Sequence, residues 1–176
     1  WNESLSAQFG ELLANPFPQG WGFARHPSAA DQKVQAAYVL LLSALPVETA
    51  AAVSRRLRLR NQLDQMIRQA ASLLPGLPAL ASQPASRAAA ALDTCPPLVI
   101  YSLYLASPSS RVRAMLSDFA SQWRWVKTLV DGEKLRQMGV ENGPRIGEIL
   151  AQLKAAWIDG LVSTPAEEQE LLKKIL

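Results

Sequence analysis

Apolar residues recur along this chain every three or four positions, which is the spacing of an amphipathic α-helix. One stretch shows it clearly, with apolar side chains at Leu63, Met66, Ile67, Ala70, Ala71 and Leu74. Alternation with a period of two is never sustained, and prolines and glycines divide the chain into short blocks. The pattern predicts an all-α array of about ten short helices.

Capping signals predict where several of these helices begin. Ser28 is expected to cap an apolar helix that runs to about Leu45, and Asn61 is expected to cap a later one. Pro108 is predicted to start the longest helix, which ends near Val130. The first helix, from Trp1 to Asn15, is predicted to have one apolar face formed by Leu5, Phe9, Leu12 and Leu13.

The C-terminal region predicts a helix-loop-helix followed by a terminal helix. The loop spans Gly139 to Gly143, and Thr164 is expected to cap the last helix with Pro165 in its first turn. We divide the chain into a helical region 1–107 and a second helical region 108–176, which could pack as one unit.

Composition narrows the possible functions. The 176 residues include one His and one Cys, which excludes a zinc site built from Cys and His ligands and an intramolecular disulfide. We therefore expect a reducing, cytoplasmic location. The chain begins at Trp1, so we expect a piece of a longer polypeptide. The longest apolar run, Ala36 to Leu45, is too short to span a membrane, and we expect no membrane partner.

Positive charge is concentrated in the middle of the chain. Lys and Arg total 18 against 15 Asp and Glu, a net charge of +3 that does not by itself predict a nucleic-acid binder. Residues 55–87 contain six arginines and one acidic residue, whereas residues 1–54 are net negative and residues 88–176 are balanced. This middle segment therefore supplies the whole basic excess.

An arginine cluster lies at the end of one predicted helix. Its members are Arg55, Arg56, Arg58 and Arg60. Guanidinium groups bind phosphates well, but cations at a helix C-terminus also complement the helix dipole. Both interpretations remain open from the residues alone.

A second basic stripe is predicted on the longest helix. Arg113, Arg124 and Lys127 share one face, and Trp125 flanks them. Basic groups beside an exposed aromatic side chain could hold a nucleic-acid backbone and stack a base. In the alternative interpretation, Trp125 packs on a neighbouring helix and the basic groups face water.

A third candidate is the helix start at Gly143, Pro144 and Arg145. Free N–H groups at a helix N-terminus attract anions, and the adjacent guanidinium adds positive charge. The loop resembles a helix-hairpin-helix loop that grips nucleic-acid phosphate, although it is about one residue longer. A plain connection between packed helices is the alternative.

No catalytic constellation is found in the sequence, and no close carboxylate cluster is ready to hold metal ions. Glu167, Glu168 and Glu170 lie in the terminal helix and are expected to be solvated. His26 is expected to be a surface or capping residue, and Cys95 a small core residue.

The last 45 residues contain several motifs in a fixed order. They are Val130-Asp-Gly-Glu-Lys-Leu135, Met138-Gly139, Gly143-Pro-Arg-Ile-Gly147-Glu-Ile-Leu150, Ala156-Trp-Ile-Asp-Gly160 and Thr164-Pro-Ala-Glu-Glu168. This order resembles the end of bacterial class II tRNA nucleotidyltransferases and their poly(A) polymerase relatives. Looser matches upstream are Arg56-Leu-Arg-Leu-Arg-Asn61 and Pro97-Leu-Val-Ile-Tyr-Ser-Leu103, so the resemblance covers about residues 28–176. Asn142 and Arg60 depart from it, where the family often has Pro and Ser.

The resemblance implies that this chain is the helical body and tail of such an enzyme. The family's catalytic head, which binds Mg²⁺, and its neck, which reads CTP or ATP, have no counterpart here. The resemblance therefore implies no catalytic residue and no cofactor in this chain, within a parent polypeptide that adds nucleotides to RNA 3′ ends. It also implies contact with the tRNA acceptor and TΨC arm, for which the three basic sites above are the candidates.

Two other functions remain open. The chain could be a helical protein-interaction or oligomerisation module, for example a homodimer. It could also be a helix-hairpin-helix module that binds duplex DNA.

Overall fold

A computed structural model describes residues 3–23, 28–141 and 143–176. Trp1, His26 and Asn142, which entered the sequence expectations, lie outside these ranges. The described residues form α-helices and two 3₁₀ turns, Leu74–Gly76 and Trp123–Trp125, without a β-strand. The helices are α1 (Glu3–Ala14), α2 (Ala29–Ser43), α3 (Val47–Arg56), α4 (Asn61–Leu73), α5 (Leu77–Leu80), α6 (Ala85–Leu92), α7 (Pro97–Ala106), α8 (Ser110–Ser121), α9 (Gly132–Gln137), α10 (Pro144–Ile158) and α11 (Pro165–Ile175). The predicted all-α array is confirmed.

Side-chain caps explain the starts of four helices, α2, α8, α9 and α11. The Ser28 hydroxyl accepts a hydrogen bond from the Asp31 N–H at 3.2 Å and begins α2. Thr164 begins α11 in a reciprocal capping box with Glu167. Hydrogen bonds to Glu167, first from the Ser163 N–H and hydroxyl and then from Thr164, lower the pKa of that carboxyl. The expected cap at Asn61 is wrong by one position, because Arg60 precedes the first turn of α4.

Within the described ranges, buried apolar side chains form two separate clusters. The larger one extends from Leu12 to Ala120, and within it α2 packs on α4 and α7 while α7 packs on α8. The smaller one contains Val130, Leu135, Ile149, Leu153 and Leu172. The division of the chain at residue 107 stays a prediction.

The predicted long helix from Pro108 to Val130 is wrong. Helix α8 ends at Ser121, and Gln122 leaves the helical region with φ −128° and ψ −66°. The Trp125 indole N–H donates to the Ala120 carbonyl at 2.9 Å and to the Gly20 carbonyl at 3.1 Å. The indole thus occupies a carbonyl that a continuing helix would use itself, and the chain turns away.

Two predicted exposures are also wrong. Leu13 is predicted on the apolar face of the first helix, but it is 66% exposed because the helix turns Leu12 into the core instead.

Glu168 is fully buried rather than solvated. Its carboxylate accepts hydrogen bonds from the Leu129 N–H at 2.9 Å, the Val130 N–H at 3.0 Å and the Trp157 indole N–H. These bonds supply the partners that a buried carboxylate requires.

Helix α10 joins the two clusters by packing along α6. At one end, the Asp159 carboxylate accepts from the Ser86 N–H at 2.8 Å and from the Ser86 hydroxyl at 2.6 Å. At the other end, Lys154 and Asp93 form an ion pair at 3.2 Å. The junction is therefore held by a polar contact near each end of α6.

Within the described ranges, no single helix has both the length and the apolar character to cross a bilayer. Helices α6 and α7 pass that test only as a pair, and they are bent by 119° relative to each other.

Candidate nucleic-acid interface

The arginine cluster lies on a tight turn that closes α3. The Arg58 N–H donates to the Arg55 carbonyl and the Leu59 N–H to the Ser54 carbonyl, both at 3.1 Å. These bonds form a Schellman motif, whose reversing residue adopts a left-handed conformation. Here that residue is Arg58, with φ +52°.

The same motif ends two other helices with glycine at the reversing position. Helix α9 ends at Gly139 with φ +89°, and α10 ends at Gly160 with φ +71°. Glycine reaches this conformation without steric cost, whereas other L-residues are strained by about 1–2 kcal/mol. Among the described non-glycine residues, only Arg58 has a positive φ. The α3 turn therefore holds an arginine in a conformation that favours glycine.

All four arginines of this turn are exposed. In the described part of the chain, the side chains of Arg55, Arg56, Arg58 and Arg60 have no hydrogen-bond or ion-pair partner. Arg68, two turns into α4, is instead paired with Asp64 at 2.9 Å. The turn therefore presents four guanidinium groups that are free to bind an anion.

Beside this turn, an open groove of about 510 Å³ runs between α2 and α4. Its residues come from both helices and from the turn itself. They are Asp31, Val34, Gln35, Arg58, Leu59, Arg60, Gln62, Leu63 and Met66. The groove thus combines an apolar floor with polar and basic walls, and nothing in the local sequence pattern indicates it.

Arg113 is engaged inside the protein. Its guanidinium donates to the Ser107 carbonyl at 2.8 Å and the Leu105 carbonyl at 3.3 Å, and it lies 5.0 Å from the Tyr104 ring centroid. It also pairs with Glu11 at 3.5 Å. These hydrogen bonds satisfy carbonyl groups at the C-terminal end of α7. A role of Arg113 in RNA contact stays a prediction.

Arg124 is similarly occupied. It donates to the Cys95 carbonyl and lies 4.9 Å from the Phe119 ring centroid. Burial lowers its pKa, although Cys95 and Asp93 act in the opposite direction. Lys127 is exposed and has no partner in the described residues. Because the predicted helix ends before them, Arg124 and Lys127 do not extend the Arg113 helical face.

Helix α10 begins at Pro144 as predicted, with Gly143 before it. Gly143 is extended, and a Cβ at that position would meet no atom within 4 Å, so close packing does not require glycine there. The Arg145 guanidinium donates to the Ile175 carbonyl at 2.7 Å and contacts Glu148 at 3.5 Å. It thereby ties the start of α10 to the end of α11.

The structure also places Arg87 and Lys154, which the sequence pattern did not single out, along two grooves whose other charged residues are Asp93 and Lys127. A groove of about 370 Å³ follows the α6–α10 junction, and an adjoining groove of about 380 Å³ lies between residues 126–128 and α10. Both are lined by Ala151 and Lys154. Arg87 lines the first and Lys127 the second. Residues 87 and 154 are far apart in sequence, so no spacing rule could pair them.

The described residues include no group of three His, Cys, Asp or Glu side chains placed to hold a metal ion. Cys95 is buried, as expected of a core residue, and its thiol accepts a hydrogen bond from the Gln69 amide at 3.3 Å. The candidate site is therefore defined by its exposed cationic side chains.

Fold and site together define an all-helical protein with a localised cluster of free arginines. Over 79 residues, the chain is 28% identical to the A-adding tRNA nucleotidyltransferase of Geobacter sulfurreducens. The similar segment covers 45% of this chain and 9% of that protein. No family model matches the chain, and no solved structure matches it. The partial similarity suggests a relationship to tRNA nucleotidyltransferases.

Proposed function

We propose that this chain is a non-catalytic, RNA-binding part of an enzyme that adds nucleotides to RNA 3′ ends, of the tRNA nucleotidyltransferase and poly(A) polymerase kind. The free arginine turn at residues 55–60 carries the proposal, because it offers four unpaired cations on one short segment. The partial similarity to the Geobacter protein supports RNA as the partner.

In this proposal, the turn binds phosphates of the tRNA acceptor and TΨC arm. An A-form helix gives side chains little access to base edges in its deep groove, so backbone and shape dominate recognition. Lys127, Arg145 and the helix start at Gly143 and Pro144 are further candidate contacts. Mg²⁺ and CTP or ATP would belong to the catalytic head of the parent enzyme, and the complex would form in the cytoplasm.

Binding to tRNA at several salt concentrations tests this proposal, with duplex DNA and single-stranded RNA of matched length as competitors. We expect tRNA to bind best and its affinity to fall steeply with salt, because neutralised phosphates release counterions. Preference for duplex DNA would support the helix-hairpin-helix alternative instead.

A matched pair of variants locates the site. Arg55 and Arg56 lie in the last turn of α3, and Lys173 and Lys174 lie in the last turn of α11. The double variant Arg55→Glu with Arg56→Glu and the double variant Lys173→Glu with Lys174→Glu therefore make the same change in net charge. They also make the same kind of change at a helix C-terminus. We expect only the arginine pair to abolish tRNA binding and flatten the salt dependence. If both double variants lose the same affinity for tRNA, the loss comes from overall charge and not from a site at the arginine turn.

One observation favours a second candidate, the protein-interaction module. An apolar groove of about 480 Å³ lies between α1 and α2, lined in part by the exposed residues Leu13, Val34 and Leu41. Exposed apolar grooves of this kind suit a helix from a partner protein or a second copy. Sedimentation of the wild type against Leu13→Glu would detect self-association through this groove, and a salt-independent dimer would favour this function.

A further inference from the structure

The groove between α2 and α4 suggests a more specific ligand than a phosphate backbone. We propose that it holds one unpaired nucleotide of the bound RNA, and that it selects a base with an exocyclic amine. This inference rests on the proposed function, because the RNA that supplies the nucleotide would be the one bound at the arginine turn.

The size and walls of the groove fit a single nucleotide. Its volume of about 510 Å³ lies within the roughly 300–1,000 Å³ typical of small-ligand sites. Arg58 and Arg60 line the groove at the turn, where they can pair with the phosphate. The accessible apolar residues of the groove, which include Leu59 and Leu63, provide a surface for the flat face of a base.

The polar groups of the groove are available for hydrogen bonding. Within the described residues, the side-chain amides of Gln35 and Gln62 have no protein partner. The Oδ2 atom of Asp31 accepts from the Ser28 hydroxyl at 2.7 Å, which fixes the carboxylate and leaves Oδ1 free. Asp31, Gln35 and Gln62 could therefore contact the edge of an unpaired base.

Asp31 gives the groove its selectivity. A carboxylate only accepts hydrogen bonds, so it pairs with the exocyclic amine of cytosine and repels the carbonyl oxygen that uracil has at the same position. The same negative charge disfavours an acidic peptide as the occupant. Unpaired bases are also the parts of an RNA whose edges side chains can reach.

Three RNA hairpins with one shared stem test the inference. One is fully paired, one has a single bulged cytosine, and one has a single bulged uracil. Fluorescence anisotropy at fixed salt gives each affinity. We expect the cytosine bulge to bind about tenfold tighter than the uracil bulge, which is the effect of one charge-assisted hydrogen bond.

Asp31→Asn should remove this preference, because an amide can either donate or accept. Glu48→Gln is the matched control, since Asp31 and Glu48 are acidic residues in the first turns of α2 and α3. Circular dichroism checks that both variants remain folded. Loss of the preference in Asp31→Asn alone supports the groove as the base-binding site.

Three results would overturn the inference. Equal binding of all three hairpins by the wild type refutes the nucleotide groove and leaves RNA binding at the arginine turn intact. If the wild type binds none of the hairpins more tightly than the double variant Arg55→Glu with Arg56→Glu does, both the proposed function and the groove are refuted. A cytosine preference that Asp31→Asn leaves unchanged also rejects Asp31 as the selecting group.

Discussion

Replacement of Glu168 is the sharpest test of how the C-terminal helices are held together. This fully buried carboxylate accepts hydrogen bonds from the Leu129 N–H, the Val130 N–H and the Trp157 indole N–H. No cation takes part in these contacts. Glu168 thus joins α10 and α11 to the segment that precedes α9.

The structure allows the cost of each substitution to be estimated. Glu168→Ala leaves three N–H donors without their acceptor, and each such loss costs about 1–3 kcal/mol when the donor is buried. Leu129 is half-exposed, so water can replace part of its bond. We expect Glu168→Ala to lower the free energy of unfolding by about 3–5 kcal/mol. Glu168→Gln keeps one acceptor oxygen but turns an amide N–H₂ toward a donor, and should cost about 1–3 kcal/mol.

Urea unfolding followed by tryptophan fluorescence measures these differences, since the Trp157 indole contacts the carboxylate. Glu170→Ala is the control, because Glu170 is exposed in the same helix and should change the unfolding free energy by less than about 0.5 kcal/mol. If Glu168→Gln is as stable as the wild type, the carboxylate is not the required acceptor and the reasoning fails.

Three further predictions concern stability. Arg58→Gly should raise the free energy of unfolding by about 1 kcal/mol by relieving its φ of +52°, and a lower midpoint in urea would contradict this. Gly22→Ala should lower the thermal midpoint more than Gly20→Ala does. Both glycines have φ near +80°, but only a Cβ at Gly22 would lie 3.0 Å from the Trp125 side chain. Equal losses of thermal midpoint in the two variants would exclude this contact as the cause. Burial raises the pKa of Cys95 from 9.0 to about 11, so its contribution to stability is complete below pH 9 and declines toward pH 11. Between pH 9 and pH 11, Cys95→Ala should lose less unfolding free energy than the wild type, as measured by urea titration. An identical loss in both proteins would show that the Cys95 thiol does not cause the decline.

Signals that act over three or four residues allowed much of the fold to be predicted. The caps at Ser28 and Thr164 and the proline-led start of α10 depend on neighbouring residues, so they were visible in the sequence. The apolar stripe of α4 was equally local, and Met66 and Ile67 are buried as expected. The four arginines of the turn lie within residues 55–60, and their clustering needed no tertiary information.

Distant contacts account for what the sequence could not predict. The helix after Pro108 ends early because Trp125 bonds to Gly20, a residue 105 positions away. Glu168 is buried by partners 38 and 39 residues upstream. The groove that Asp31 forms with the arginine turn depends on how α2 packs on α4, and the periodicity of neither helix contains that information.

The two separate apolar clusters have a consequence for cooperativity. Among the described residues, the smaller cluster has five buried members, which is little apolar surface to offset the conformational entropy of its three helices. We expect its stability to depend on the packing of α10 against α6, where the Ser86–Asp159 and Lys154–Asp93 contacts also lie. The chain should accordingly melt in a single transition rather than two. A ligand that binds the larger cluster would then also protect the amides of α10 and α11 from hydrogen exchange, without touching them.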